Sequence, residues 1–293
     1  MANLKAIRRR IRSVSTTAKT TNAMQLVAAS KMRRAQARAL AARPYAERLR
    51  AVLADLASLN RDTDATDSEA LHPLLAKRPM VRITLIVVSP NRGLAGGLPG
   101  NINRAAGTFV VDHGHVTSIV AVGKKGRDFF ARTRTGISAE FIGLGDYPTL
   151  ADTLPISRLV IDDYTEGRTD GVFMVYPRFV STVTQRPTLQ QILPVEPPEE
   201  QTEDRHNVEY IFEPSPAGVL NALLPRYVET QLYNAVLENA ASFQSAQMVA
   251  MRNATDAAKD LVSSLTLALN KARQEQITGE LLDIVGGAAA ITG

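Results

Sequence analysis

Leu4-Lys-Ala-Ile7-Arg-Arg-Arg-Ile11-Arg-Ser-Val14-Ser-Thr-Thr-Ala18 opens the repeat that decides the architecture of this chain. Stepping alternately three and four residues from Leu4 gives Leu4, Ile7, Ile11, Val14, Ala18, Thr21, Gln25, Ala28, Met32, Ala35, Ala39, Ala42, Ala46, Leu49, Leu53 and Leu56. Of these 16 positions, 14 are apolar. A stripe that returns every 3.5 residues over so many turns stays on one side of a helix only if the helix supercoils left-handedly around a partner. At 1.5 Å per residue, a helix over about 3–60 extends roughly 80 Å. Pro44 lies inside it and predicts a kink or a fresh start there. The middle of the stripe is Ala-rich and includes Thr21 and Gln25, so two backbones can approach closely while little apolar area is buried.

A second repeat lies near the other end. Ala254, Ala258, Leu261, Leu265, Ala268 and Ala272 keep the same spacing, which extends back through Met251, Gln247, Gln244, Ala240, Leu237 and Tyr233. It predicts a helix over about 216–286, with Pro225 as an early kink or delayed start, Gly279 as a weak point and Gly286-Gly287 as a fraying or stop signal. Two long seams at opposite ends of one chain predict an antiparallel coiled coil between them. A bundle of folded-back helices would need Gly and Pro for its turns, and both are nearly absent inside either seam.

Between the seams the period changes. Residues 61–78 are polar, with Pro73 inside and Pro79 just after, and read as a linker. Met80–Ser89 is β-branched and apolar enough for a buried strand, and Val116–Val122, Gly171–Tyr176 and Thr182–Leu193 are further strand candidates. Helical stretches near 101–110, 124–133 and 149–166 alternate with them, which predicts an α/β domain with a largely parallel sheet. The fold class is therefore α+β overall: a long antiparallel two-helix coiled coil from the N- and C-terminal helices, plus a central Rossmann-like α/β domain. The expected division is 1–60 for the first helix, 61–78 for the linker, 79–195 for the α/β domain, 196–213 for an acidic, Pro-rich loop, and 214–293 for the last helix.

Charge is unevenly placed. Residues 1–50 hold 13 Lys and Arg against Glu47, a net of +12, so the remainder must sum to −7 to reach the overall +5. Lys5, Arg8, Arg9, Arg10, Arg12 and Lys19 form one cluster, and Lys31, Arg33, Arg34 and Arg38 another. Acidic residues at helical spacing that would neutralise them are missing. The last helix offers little relief, since residues 214–293 carry 7 acidic against 5 basic side chains. A phosphate backbone or an acidic protein surface is the implied partner.

Several chemistries are excluded or weakened. There is no Cys, so disulfides and thiol chemistry are absent. No apolar run reaches the roughly 18 residues that span a bilayer. Gly93-Leu-Ala-Gly96-Gly97-Leu-Pro-Gly100 sits where a phosphate loop would, after a strand and before a helix, but its spacing is neither GxGxxG nor Gly-Lys-Ser/Thr. A tight structural turn is the better reading. Val122-Gly-Lys-Lys-Gly126 likewise lacks the hydroxyl that would hold magnesium. His113 and His115 flank Gly114 and read as a surface hairpin turn, and Asp162 and Asp163 as solvated helix residues. No catalytic, cofactor-binding or metal-ligating set is assigned.

Leu4–Val14, Thr21-Asn-Ala-Met-Gln-Leu-Val-Ala-Ala-Ser-Lys-Met32, Arg92–Leu98, Tyr176–Thr182, Gln185-Arg-Pro187, Tyr227–Tyr233, Met248–Thr255, Asn270–Gln274 and Ile277–Ala288 together resemble the gamma subunits of F-type ATP synthases. The likeness covers essentially the whole chain. One linked departure stands out: where that family usually has Ser-Glu-x-x-Ala-Arg-Met, this chain has Ser242-Phe-Gln-Ser-Ala-Gln-Met248. Phe243 and Gln247 thus replace a Glu and an Arg one helical turn apart. Because both charges go together, no lone charge is stranded.

The resemblance implies a non-catalytic central shaft of a proton-translocating F-type ATP synthase. Its partners would be three alpha and three beta subunits, the epsilon subunit and the membrane c-ring. It would work at the cytoplasmic face of a bacterial plasma membrane, as a peripheral protein that neither enters the membrane nor binds nucleic acid. Lys5, Arg8, Arg9, Lys31, Arg33 and Arg34 would meet acidic loops of the beta subunits, with Met24 and Leu26 packing there. Arg273 and Gln274 would hydrogen-bond a beta-subunit loop. Ile277, Leu281, Leu282, Ile284 and Val285 would form an apolar tip in a bearing. The competing reading is a nucleic-acid-binding coiled coil with a basic arm. A salt-titrated gel shift separates the two: the shaft reading expects no tight DNA or RNA binding near physiological ionic strength, whereas a steep salt slope there would favour the basic arm.

Overall fold

The structure is a computed structural model that describes residues 2–62, 72–114, 116–133, 135–196 and 215–292. Residues 63–71 of the expected linker, 197–213 of the expected acidic loop, and His115 lie outside the described residues. The chain forms two compact units, Met1–Ala28 with Gln247–Gly293, and Ala29–Ala246. Two long helices, α1 (Ala2–Asp62) and α5 (Pro216–Thr292), contribute to both.

In the first unit the two helices pair antiparallel. Thr21 Oγ1 and Thr255 Oγ1 lie 2.7 Å apart. Equal steps outward from that pair set Ala18 opposite Ala258, Val14 opposite Val262, Ile11 opposite Leu265, Ile7 opposite Leu269 and Leu4 opposite Ala272. The burial follows this register. Leu4, Ile7, Ile11, Val14, Ala18, Thr21 and Gln25 are half-buried and Ala28 is buried, while the basic residues between them are exposed. Each threonine hydroxyl also lies within reach of a carbonyl one turn back, that of Ala18 for Thr21 and that of Met251 for Thr255; one hydroxyl donates across the pair while the other donates to its carbonyl, so neither is stranded in the seam.

The α5 side corrects the expected register by half. Met251, Ala258, Leu265 and Ala272 are shielded as predicted, but the second row is Thr255, Val262 and Leu269 rather than Ala254, Leu261 and Ala268. Leu261 and Ala268 are exposed. The two registers share one row and differ only in which flanking row completes the seam. The two flanking rows are about equally apolar, and the threonine pair holds the helices in the second. The predicted stop at Gly286-Gly287 also fails, because α5 runs on to Thr292 through Ala288, Ala289 and Ala290, the strongest helix formers.

Both helices also pass through their prolines without ending. Pro44 deprives the carbonyl of Leu40 of its donor and Pro225 that of Asn221. Leu40 and Asn221 are exposed, so water can serve those oxygens.

The second unit is built on a five-stranded sheet in the order β3-β2-β1-β4-β5. The strands are β1 (Ile83–Val88), β2 (Val116–Val122), β3 (Ile137–Phe141), β4 (Gly171–Phe179) and β5 (Gln185–Leu193). The first four run parallel and β5 returns antiparallel to β4. Central β1 is buried at every residue, as a strand covered on both faces must be. Strand β3, Ile-Ser-Ala-Glu-Phe, was not among the expected strands: it is a five-residue edge strand with an exposed Glu, too short and too polar to stand out. On one face Ile86, Val88, Val120 and Met174 pack with α4 (Leu150–Thr165), Leu53 of α1 and Leu220–Val236 of α5. On the other, Leu85, Val87 and Ile119 pack with α2 (Leu98–His113) and α3 (Lys124–Thr133).

The histidine motif is a helix end rather than a hairpin. His113 closes α2, stacked on Phe109, and Gly114 takes the left-handed cap. Asp163 is likewise not simply solvated, since it accepts a 2.6 Å hydrogen bond from Arg168 Nε.

Gly123 shows why β2 turns sharply into α3. Its φ is +101°, and a Cβ there would stand 1.9 Å from the carbonyl oxygen of Ser89. Gly123→Ala is expected to destabilise the chain by at least about 2 kcal/mol, from strain plus a backbone clash that no rotamer relieves; urea denaturation followed by circular dichroism measures it.

Candidate functional site

The chain leaves β1 toward β2 and β3 on one side and places β4 on the other, so the strand order reverses between β1 and β4. In open α/β sheets ligands settle outside the carboxyl ends of the strands at such a switch point. Here α5 occupies that place. Asn239 Nδ2 donates to the carbonyl of Ser89 at the end of β1 (3.4 Å), and Ser242 Oγ to that of Pro177 in β4 (3.0 Å). Glu238 accepts from the backbone N–H of Phe179 (3.0 Å), and Ser245 Oγ donates to Thr182 O. Phe243, 7% exposed, belongs to the core cluster that contains Leu85, Val87 and Val175.

What remains is a cavity of about 60 Å³ lined by Ser89, Asn91, Gly123, Asp146, Asn239 and Gln244 among others. That holds a few waters and no nucleotide. The Gly93–Gly100 stretch is a structural turn, with Leu94 and Gly96 left-handed at φ 62° and 57° and Gly97 capping α2. Among the described residues there is no His/Asp/Glu group able to hold a metal and no helix long and apolar enough to cross a membrane.

Beside this cavity charges converge on Asp146. Lys31 Nζ of α1 lies 2.6 Å from Oδ2, Arg92 pairs with Oδ1, and Gln244 Nε2 stands 3.5 Å from Oδ1. One residue on, Arg38 of α1 sits over the ring of Tyr147 at 4.9 Å. Burial pushes the Asp146 carboxyl up, but the hydrogen bonds and charges of Lys31 and Arg92 outweigh it, so its pKa falls below the ordinary 3.8.

The residues singled out from the sequence distribute unevenly. Lys5, Arg8, Arg9, Arg33, Arg34, Arg273 and Gln274 are exposed, and no carboxylate among the described residues pairs with any of these cations. Leu26 is exposed and Met24 half-buried. Lys31 is half-buried, and its ammonium is held by Asp146. Leu4 is opposite Ala272, and among the described residues α1 covers nothing beyond about Gln274. Ile277, Leu281, Leu282, Ile284 and Val285 accordingly stand exposed at 46–68%. Sequence reasoning missed Asp146, Arg92, Asn239 and Gln244 as a group. They join positions up to 150 residues apart, and no local pattern marks such a pairing.

A coiled coil with an uncovered apolar end and an α/β domain whose ligand crevice is closed by its own helix can be compared with known proteins. The family model described as ATP synthase matches residues 3–291. The ATP synthase gamma chain of Dehalococcoides mccartyi is 55% identical over 291 residues, covering 99% of this chain and 100% of that one. This chain belongs to the ATP synthase gamma-chain family.

The gamma chain of Roseiflexus castenholzii is 50% identical over 295 residues, 99% of each chain. Two solved assemblies share the fold at low identity. One is the Euglena gracilis mitochondrial ATP synthase in rotational state 3 (18% identical, 99% of this chain and 95% of that one, TM-score 0.66). The other is the central stalk and c-ring of the Tetrahymena thermophila enzyme (21%, 80% and 99%, TM-score 0.61). As a member of the gamma-chain family, this chain is a non-catalytic subunit of the synthase.

The Phe243 departure has a structural reading within the family. The ring enters the apolar cluster beneath the crevice, where a carboxylate would need a partner. Phe243→Ala is expected to cost about 3–4 kcal/mol by leaving a hole where α5 crosses the strand ends. Chemical denaturation measures it, and a cost under about 1 kcal/mol would mean that the ring does not anchor the helix.

Proposed function

We propose that this gamma-chain family member is the rotor shaft of a proton-driven synthase, gripped along its coiled coil by alpha and beta subunits and turned from its α/β domain by the epsilon subunit and the c-ring. The observation that carries this reading is the paired helical seam of the first unit, which leaves a row of exposed cations and an uncovered apolar end. A rod made of two unlike helices has no threefold symmetry. Each of three surrounding catalytic subunits would meet a different face at any moment, and so hold nucleotide with a different affinity. That is coupling through differential contact free energy, which is what an allosteric driver requires.

In this reading Lys5, Arg8, Arg9, Arg33 and Arg34 offer charge to acidic loops of the beta subunits, with Leu26 and the accessible part of Met24 packing beside them. Arg273 and Gln274 hydrogen-bond a beta-subunit loop. Ile277, Leu281, Leu282, Ile284 and Val285 turn against an apolar sleeve, where greasy contact without directional bonds lets the shaft slip in angle. The complex works at the cytoplasmic face of a bacterial plasma membrane. Charge reversal at Arg33, Arg34 and Arg273 together is expected to lower the torque of ATP-driven rotation, with a deficit that shrinks as added salt screens the wild-type contacts. Unchanged torque in single-molecule rotation would remove the electrostatic part of the proposal.

A further inference from the structure

We infer that Asp146 is a positioning residue: it locks both long helices to the loops at the carboxyl end of the sheet, and through this lock the α/β domain turns the helices it carries. The inference rests on the rotor reading above.

Asp146 sits in the loop between β3 and α4 and gathers side chains from three other places. Lys31 arrives from α1, Arg92 from the loop after β1, and Gln244 from α5. The contact is shielded on the helix side, with Lys31 31% and Asp146 21% exposed at their side chains, while Arg92 closes it from outside at 61%. Arg38, two turns along α1 from Lys31, stacks on Tyr147 and repeats the grip on the same loop. The loop is itself braced, since Asn91 Nδ2 donates to Leu144 O at 3.0 Å while Asn91 Oδ1 accepts from the N–H of Lys124 at 3.0 Å. A pull on the sheet thus reaches α1 through one ion pair and one cation–π contact, and reaches α5 through Gln244 in addition to the bonds of Glu238, Asn239, Ser242 and Ser245.

The alternative attachment is apolar packing, and on the α1 side it is uneven. Leu49 and Leu53 are buried, and Leu53 joins the core under the sheet, but between Arg38 and Leu49 the seam residues Ala39, Ala42 and Ala46 present single methyl groups. Small side chains resist sliding and rolling poorly, whereas a directional hydrogen bond resists both. The lock is also asymmetric to mutation. Removing the carboxylate leaves Lys31 and Arg92 as like charges facing one gap, so the two elements repel rather than merely separate.

Because the chain has no cysteine, a probe can be placed at one chosen site. Val111→Cys on α2, 80% exposed, would carry a bead in the assembled complex with alpha and beta subunits fixed to a surface. Asp146→Asn and Lys31→Met are each expected to widen the bead's angular spread in the paused complex while leaving the unloaded ATP hydrolysis rate unchanged. Amides of residues 29–35 should exchange about fivefold faster or more, as expected for loss of a charge-assisted bond on a half-buried group. Asp146→Glu should restore most of the stiffness, and the double variant should be no worse than the worse single one, because both remove the same contact.

An unchanged spread in both single variants, in a complex that assembles and rotates, would overturn the lock. Equal loss of hydrolysis and stiffness would also overturn it, by showing a general structural defect. Failure of the unsubstituted chain to assemble or rotate would instead sink the rotor reading.

Discussion

An apolar stripe with a period of 3.5 residues can be hidden only by another helix of matching period, and everything else in the first unit follows from that demand. Nothing in the middle of the chain has that period, so the two ends must serve each other. The stripe carries Leu4, Ile7, Ile11 and Val14 toward its outer end and Ala18 and Ala28 around Thr21, whose contact with Thr255 fixes the register. A seam of this kind buries little area per turn. It persists because it is long, and because its polar members bond within it. The same pairing leaves α5 uncovered where α1 runs out, which produces the exposed apolar end without any separate structural device.

The second unit shows how a sheet of the doubly wound type is converted to mechanical use. Its strand order creates a crevice at the ends of β1 and β4. The chain spends that crevice on its own helix: Glu238, Asn239, Ser242 and Ser245 bond the strand ends and the turn after β4, and Phe243 enters the core. The glycines that look like remnants of phosphate binding have a different purpose. Gly123 lets the start of α3 approach Ser89 without a clash, and Gly126 donates its N–H to the Ser89 hydroxyl at 2.7 Å. Close backbone approach and ligand approach ask for the same residue, which is why a glycine pattern by itself did not discriminate between them.

Much of the architecture was legible because it is periodic. The N-terminal seam from Leu4 to Ala28 was readable residue by residue, since its apolar positions alternate by three and four against a background of arginines. Buried strands β1, β2 and β4 were readable from β-branched runs, and α3 to the residue. The C-terminal seam was readable only by half, because the flanking rows through Ala254 and Thr255 score alike until a partner is in place. Edge strand β3 and the continuation of α5 past Gly286 were illegible for a related reason: each is held by its neighbours against a weak local preference. Of the site, the exposed cations and the apolar tip were visible as composition, while the pairing of Lys31 with Asp146 was not.

The sequence by itself determined that two helices of 3.5-residue period flank an α/β domain, that positive charge gathers on the first of them, and that no thiol chemistry is available. Those are properties of spacing and composition, which survive without knowledge of any contact. Only the tertiary structure decided which row of α5 faces α1, that α5 fills the crevice, and that Asp146 collects Lys31, Arg92 and Gln244. These are meetings between residues far apart in the chain, and their energies depend on distance and burial, which exist only once the chain has folded.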